Sequence, residues 1–287
     1  MVAAAYLRLT KPRVIELLLV TTVPAMILAA DGIPPLGLLI AVLVGGAAAA
    51  GGANTFNSYL ERDRDRFMRR THGRPLPRGE ISPRGALRFG VLLEVVAFVL
   101  LAGVANLLAA LLAVGAMAFY VAVYTVWLKP RTVENIVIGG AAGAAPVLVG
   151  WAAVTGGIGL PALVLFAIVF LWTPPHFWAL AIRHADDYRT AGIPMLPVVA
   201  GIDVAARRIF VYTLAVVACS LTLPIVHPTT PVYPVVAAVL GCVFVARAVA
   251  LRRHPGPARA IAMFGFSNLY LAALFAAMAL DVAAGHL

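Results

Sequence analysis

Long apolar runs separated by short polar connectors dominate the chain, with no strand-like alternation of apolar and polar positions. A helix needs about 20 residues to cross the hydrocarbon of a bilayer, and nine runs are close to that length: 14–31, 36–59, 85–104, 107–128, 134–154, 160–182, 207–226, 232–251 and 260–281. Four connectors are brief and lack Lys and Arg: Asp31 to Pro35, Ala105-Asn106, Thr155 to Gly159, and His227 to Pro231. All 22 Lys and Arg residues fall at the N-terminus or in and beside the other four connectors. Because basic residues accumulate on the cytoplasmic side of membrane proteins, this partition predicts a cytoplasmic N-terminus and, after nine crossings, an outside C-terminus.

Composition supports the same reading. The 287 residues are 62% hydrophobic and only 12% charged, with a mean hydropathy of +0.97, which excludes a soluble domain of this length. The expected fold class is an all-α membrane protein, one domain over residues 1–287. A net charge of +10 raises the question of nucleic acid. The basic residues border apolar spans, however, which points to orientation, membrane lipid and an anionic substrate, and to no nucleic acid. Cys219 and Cys242 lie within apolar runs and read as small buried hydrophobes. The first run leads into Asp31-Gly-Ile-Pro-Pro, not into a small-residue cleavage site, so no cleaved leader is expected.

The candidate chemistry gathers where the second run gives way to charge. Between Glu61 and Arg70 stand three acidic residues and five arginines. On a helix Asn57, Glu61 and Asp65 share one face, while Asp63 points almost the opposite way. A column of oxygen ligands flanked by cations suits a hard divalent ion and a phosphorylated substrate. The second long polar loop begins Arg183-His-Ala-Asp186-Asp187-Tyr188, on the same predicted side. Two acidic sets flanking a hollow suit Mg²⁺, which binds one or two carboxylates plus substrate phosphates. Each set also reads simply as a solvated loop. The two long loops, 60–84 and 183–206, hint at two facing half-sites, without a residue-level repeat.

Arg66, Arg70, Arg74, Lys129 and Arg131 are candidate holders of diphosphate oxygens, or topological anchors at the headgroups. Tyr124, about one and a half helical turns before Lys129, faces the same hollow or belongs to the interfacial aromatic belt. Glu94, Asn135 and Asn268 are polar groups at or within the spans, where such groups seldom face lipid. In Trp172-Thr-Pro-Pro-His176-Phe177-Trp178 the two prolines are expected to break the sixth span. His176, with Trp172 and Trp178, reads either as a packing residue or as a contact for a large planar ring such as haem. No Walker loop, His-Glu-x-x-His or paired-Cys metal motif is present. What remains is phosphate chemistry by carboxylates and metal at a membrane surface.

These residues are familiar as a set. Asn57…Glu61…Asp65 resembles the Asn/Asp-x-x-x-Asp-x-x-x-Asp signature of the UbiA-type intramembrane prenyltransferases. Five longer words resemble the branch of that family that acts on haem. They are Thr10-Lys-Pro-Arg-Val14, Phe56 to Thr71, Leu128-Lys-Pro-Arg-Thr132 with Asn135 to Gly140, Trp172 to Trp178, and Asp187-Tyr188 with Ala191 to Pro197. The resemblance implies a nine-helix bundle around a central cavity in the bacterial cytoplasmic membrane, with its site facing the cytoplasm. It implies Mg²⁺-dependent transfer of the farnesyl group of farnesyl diphosphate to a vinyl group of haem B, with haem B as substrate and not as resident cofactor. Asn57, Glu61 and Asp65 would bind Mg²⁺–diphosphate, and Asp186 and Asp187 would form the second acidic set. Tyr124, Trp172, Phe177 and Trp178 would be candidates to steady an allylic cation. Haem A synthase or haem–copper oxidase assembly proteins are the partners it suggests. Two positions depart from the family: Glu61 stands where Asp is common, and Ala191 interrupts a second Asp-x-x-x-Asp. The rival readings are a prenyltransferase for a quinone-type acceptor, a transporter, and an assembly factor without turnover.

Overall fold

The computed structural model describes residues 2–285. Met1, His286 and Leu287, the ends of the expected 1–287 domain, lie outside the described residues. Among the described residues the regular structure is entirely helical, and nine helices are long and apolar enough to cross a membrane. They are α2 (Pro12–Ala30), α3 (Leu36–Asp65), α4 (Pro83–Leu100, extended to Ala105), α5 (Leu107–Ala118, extended to Leu128), α6 (Asn135–Thr155), α7 (Leu160–Arg183), α10 (Ile202–Ser220), α12 (Val232–Arg253) and α13 (Pro257–Gly285). Short helices fill the gaps: α1 (Val2–Leu9), α8 (Ala185–Thr190), α9 (Leu196–Val199) and α11 (Leu223–Val226). Successive long helices pack side by side, and α13 returns to α2 and α7, which closes the bundle.

Small residues set the tightest contacts. A Cβ on Gly52 of α3 would stand 2.5 Å from Glu94 Oε1 of α4, so the glycine is what lets that carboxyl lie between the two helices. Both Glu94 oxygens are buried without a hydrogen-bond partner among the described residues. The outward faces carry exposed Val91, Leu92, Val95, Val96 and Val99. Such a surface is unfavourable in water and suited to lipid.

Several expectations are corrected. The polar loop expected from residue 60 begins only at Arg66, because α3 continues as one 30-residue helix through Asp65. The seventh crossing begins at Ile202, a turn before the apolar run. Pro174 and Pro175 do not break α7, which runs unbroken to Arg183. Dense packing against α6, α10 and α13 holds the helix there, and Thr173 Oγ1 donates to the Val169 carbonyl at 2.9 Å. Packing against neighbouring helices offsets what proline removes in spans of this kind. The ends of α4 and α5 wind as π-helix over Leu101–Ala105 and Phe119–Leu128. Cys242 is exposed on α12, not buried, since lipid can cover an apolar helix face as well as protein can. The polar link between α7 and α13 comes from Ser267, next to the expected Asn268.

Candidate functional site

The last turns of α3 leave the apolar part of the bundle but stay covered by the loop that follows. Asn57, Glu61 and Asp65 are 2%, 6% and 2% exposed, whereas Asp63 turns outward toward Arg62. Each inward oxygen group meets its own cation. Lys11 Nζ donates to Asn57 Oδ1 at 2.6 Å. Lys129 forms an ion pair with Glu61. Arg74 Nη1 donates to both Asp65 oxygens, at 2.9 and 2.7 Å. Asn57 Nδ2 in turn donates to Thr125 Oγ1 of α5 at 3.1 Å.

The electrostatics are those of close charges with little water. Burial alone lowers the pKa of the Lys129 ammonium, but the touching Glu61 carboxylate outweighs it and leaves the pKa raised. Among the described residues Lys11 forms no ion pair and instead donates to the Asn57 amide oxygen. Burial, then the positive charge of Arg74, pushes its ammonium down to about 7 against the opposing pull of Glu61.

The loop after α3 ties the two acidic sets together. The Arg70 backbone N–H donates to Asp187 Oδ2 at 3.2 Å, and Arg70 Nη2 donates to the Tyr188 hydroxyl at 3.3 Å. Asp186 is not brought in: its side chain is 94% exposed and pairs with Arg189 one turn on. Arg131 folds back onto the Val126 and Trp127 carbonyls and closes the end of α5. Arg66 is exposed, and no ion pair among the described residues includes it.

The π-helical end of α5 aims its aromatic residues. The Lys129 N–H bonds to the Tyr124 carbonyl at 2.8 Å, five residues back, so Tyr124 sits one π-turn from Lys129. The Lys129 ammonium lies 5.8 Å from the Tyr124 ring centroid, and Tyr120 stacks on Tyr124 at 5.4 Å. Tyr124 can lie there because α6 presents Gly139, where a Cβ would be 2.3 Å from the ring. The second aromatic group is packed elsewhere. His176 Nδ1 bonds to Ser267 Oγ at 2.9 Å, and its ring lies 4.2 Å from Trp172 and 4.6 Å from Phe264. Trp172 Nε1 donates to the Ser267 carbonyl at 2.7 Å. Trp178 is fully buried with its edge against Tyr212, and Phe177 faces outward.

Sequence reasoning overlooked Lys11, Thr125 and Tyr120 as members of the site. A signal for Lys11 was present: Lys-Pro-Arg occurs twice, at Lys11 and at Lys129, and both lysines reach the same column.

Fold and site together define a polytopic helical membrane protein with a buried oxygen-and-cation cluster at one rim of its bundle. Comparison narrows the class. The description of the UbiA prenyltransferase family matches residues 18–278, and the chain belongs to that family. It is 54% identical to protoheme IX farnesyltransferase 1 of Saccharopolyspora erythraea, over 99% of this chain and 91% of the relative. Among solved structures, a digeranylgeranylglyceryl phosphate synthase superposes with a TM-score of 0.80 at 19% identity, covering 98% of each chain. A UbiA homologue from Archaeoglobus fulgidus bound to GPP and Mg²⁺ superposes with a TM-score of 0.67 at 20% identity, over 96% of this chain and 99% of that one. Likeness at such identity speaks for the fold.

Proposed function

We propose that this protein transfers the farnesyl group of farnesyl diphosphate to a vinyl group of haem B, giving haem O and diphosphate, at the cytoplasmic rim of the bacterial inner membrane. The observation that carries the reading is the column of Asn57, Glu61 and Asp65, buried and matched to Lys11, Lys129 and Arg74. Support for the substrates comes from the relative named a protoheme IX farnesyltransferase and from the homologue bound to GPP and Mg²⁺.

The donor set fits magnesium. It offers an amide oxygen and two carboxylates, all hard ligands, with Glu61 now held by Lys129 and Asp65 by Arg74. Among the described residues no three His, Cys, Asp or Glu side chains converge. Magnesium takes one or two carboxylates and completes its shell with substrate phosphate and water, so it does not need all of these side chains at once. Asn57, Glu61, Asp65 and, from the second loop, Asp187 are the residues that would hold it. Magnesium, when bound, supplies charge neutralisation for the departing diphosphate.

The chain's own groups do the rest. Lys129, Arg70 and Arg74 hold diphosphate oxygens and stabilise negative charge as the allylic C–O bond breaks, with the bonding pair leaving on oxygen. The Tyr124–Tyr120 stack lies beside Lys129 and offers π-faces to the allylic cation. The apolar helices above exclude water that would quench it. The vinyl π-bond attacks the cation at its allylic carbon. Water then adds to the haem-side cation and loses a proton, leaving a hydroxyl.

Purified protein with haem B, farnesyl diphosphate and Mg²⁺ is expected to yield haem heavier by one hydroxyfarnesyl unit, with one diphosphate released per haem. Folded protein that produces neither product would overturn the reading.

A further inference from the structure

The first helix leaves one side uncovered. On α1, Ala5 and Leu9 fall four residues apart and are buried against Leu76, Ile81 and Ala86. Much of its remaining apolar surface turns away from the protein: Val2 is 63% and Leu7 61% exposed. Its one charged side chain, Arg8, pairs with Glu80. A short helix with this much apolar surface turned outward belongs at the boundary between headgroups and acyl chains.

The start of α4 carries a second stripe beside it. Arg88, Phe89 and Leu92 lie on one face by helical spacing, and Leu92 is 58% exposed. Facing them from α1 are Tyr6, Leu7 and Thr10, and the two stripes border a groove of about 730 Å³. That volume falls within the roughly 300–1,000 Å³ of small-ligand sites. Its wall on α4, from Gly85 to Leu93, is about 12 Å long. Tyr6 sets the spacing of the two helices. Its ring meets Phe89 edge-on at 4.9 Å. Its hydroxyl reaches α4 because Gly85 has no side chain, since a Cβ there would be 2.8 Å from that oxygen.

The polar groups of the groove gather at one end. Arg84 precedes Arg88 by one turn on the same face of α4, and both are exposed. Glu80, the acidic residue of the adjoining loop, is already shared by Arg8 and Arg78, and no ion pair among the described residues includes Arg84 or Arg88. Two unpaired guanidinium groups at headgroup level are donors for a phosphodiester. The apolar walls behind them suit an acyl chain. An arginine that merely anchors a helix end at the interface has no such furrow behind it.

We propose that the groove between α1 and α4 holds one anionic phospholipid, with its phosphate on Arg84 and Arg88 and an acyl chain along Phe89 and Leu92. The lipid covers the side of α1 that the protein leaves bare. It thereby fastens this helix against the loop after α3, through Leu76, Ile81 and the Arg8–Glu80 pair. The helix that carries the oxygen column, α3, contributes no wall to the groove, so the inference does not depend on the prenyl-transfer reading.

The test is native mass spectrometry of the delipidated full-length protein, given equal amounts of phosphatidylglycerol and phosphatidylcholine with matched chains. The unaltered protein is expected to retain one phosphatidylglycerol in preference to phosphatidylcholine. Arg84→Gln/Arg88→Gln is expected to lose about tenfold or more in phosphatidylglycerol retention. Ala3→Trp fills the groove from its exposed rim and is expected to lose both lipids. Arg207→Gln/Arg253→Gln removes the same charge from exposed positions on α10 and α12 and is expected to change nothing. Hydrogen exchange gives a second readout: phosphatidylglycerol slows exchange of the α1 amides severalfold in the unaltered protein and not in Arg84→Gln/Arg88→Gln. Equal retention of the two lipids, undiminished retention in either groove variant, an equal loss in Arg207→Gln/Arg253→Gln, or unslowed exchange in α1 would overturn the proposal. So would displacement of the retained lipid by an equal amount of farnesyl diphosphate without Mg²⁺, which would make the groove a holding site for the prenyl donor.

Discussion

Charge matching in the oxygen column makes single residues interdependent. Lys129→Met leaves Glu61 buried without its cation, and breaking a buried pair from one side costs about 3–5 kcal/mol. The expected result is a large fall in unfolding midpoint in detergent, most of it recovered in the double variant Glu61→Gln/Lys129→Met. A double variant as unstable as Lys129→Met would show that the pair is not the cause. Glu61→Gln and Asp65→Asn separately are expected to lower kcat about 100-fold or more, the scale of lost electrostatic stabilisation in a water-poor site. Membrane insertion should be normal in both, and full turnover in either would remove that residue from the metal site. Spacing alone was enough to place Asn57, Glu61 and Asp65 together, because helical periodicity is local. It could not show that Asp187 turns inward and Asp186 outward, which depends on the Arg70 amide 117 residues away. Nor could it pair Lys11 with Asn57 across 46 residues.

The helices themselves were legible to within a few residues, since hydropathy over 20 residues is a strong signal and the bilayer fixes the length. What hydropathy could not carry was winding. The π-helical end of α5 is about as apolar as the α-helix before it, yet it changes which residues face Lys129. Such segments recur at functional sites. The prolines of α7 misled for a related reason: the tendency to break a helix is local, and the packing of three neighbours overrides it. Gly139 is the position where these elements meet. Gly139→Ala puts a methyl group where the Tyr124 ring lies. Overpacking of this kind costs about 1–3 kcal/mol and here displaces the aromatic stack from Lys129. We expect about tenfold slower turnover with little change in pyrophosphate affinity. Unchanged turnover would mean that the position of Tyr124 is irrelevant to the chemistry.

For the molecule as a whole, the distribution of Lys and Arg predicts the site on the cytoplasmic side. Ile33, 89% exposed in the first connector, and His72, exposed in the loop after α3, lie on opposite sides under that arrangement. In a variant whose Cys219 and Cys242 are replaced by alanine, Ile33→Cys should react with a membrane-impermeant maleimide in intact spheroplasts. His72→Cys should react only after lysis. The opposite labelling would invert the topology and place the oxygen column on the outer side.

The central claim is that the buried rim of this bundle grips a magnesium-bound diphosphate. It is tested most directly by the structure of the protein with Mg²⁺ and a non-hydrolysable farnesyl diphosphate analogue. The expected result is a magnesium ion about 2.1 Å from a Glu61 or Asp65 oxygen and from a diphosphate oxygen, with Lys129 and Arg74 turned from their carboxylates onto the phosphates. A ligand bound elsewhere, with the Lys129–Glu61 and Arg74–Asp65 pairs still closed, would contradict it.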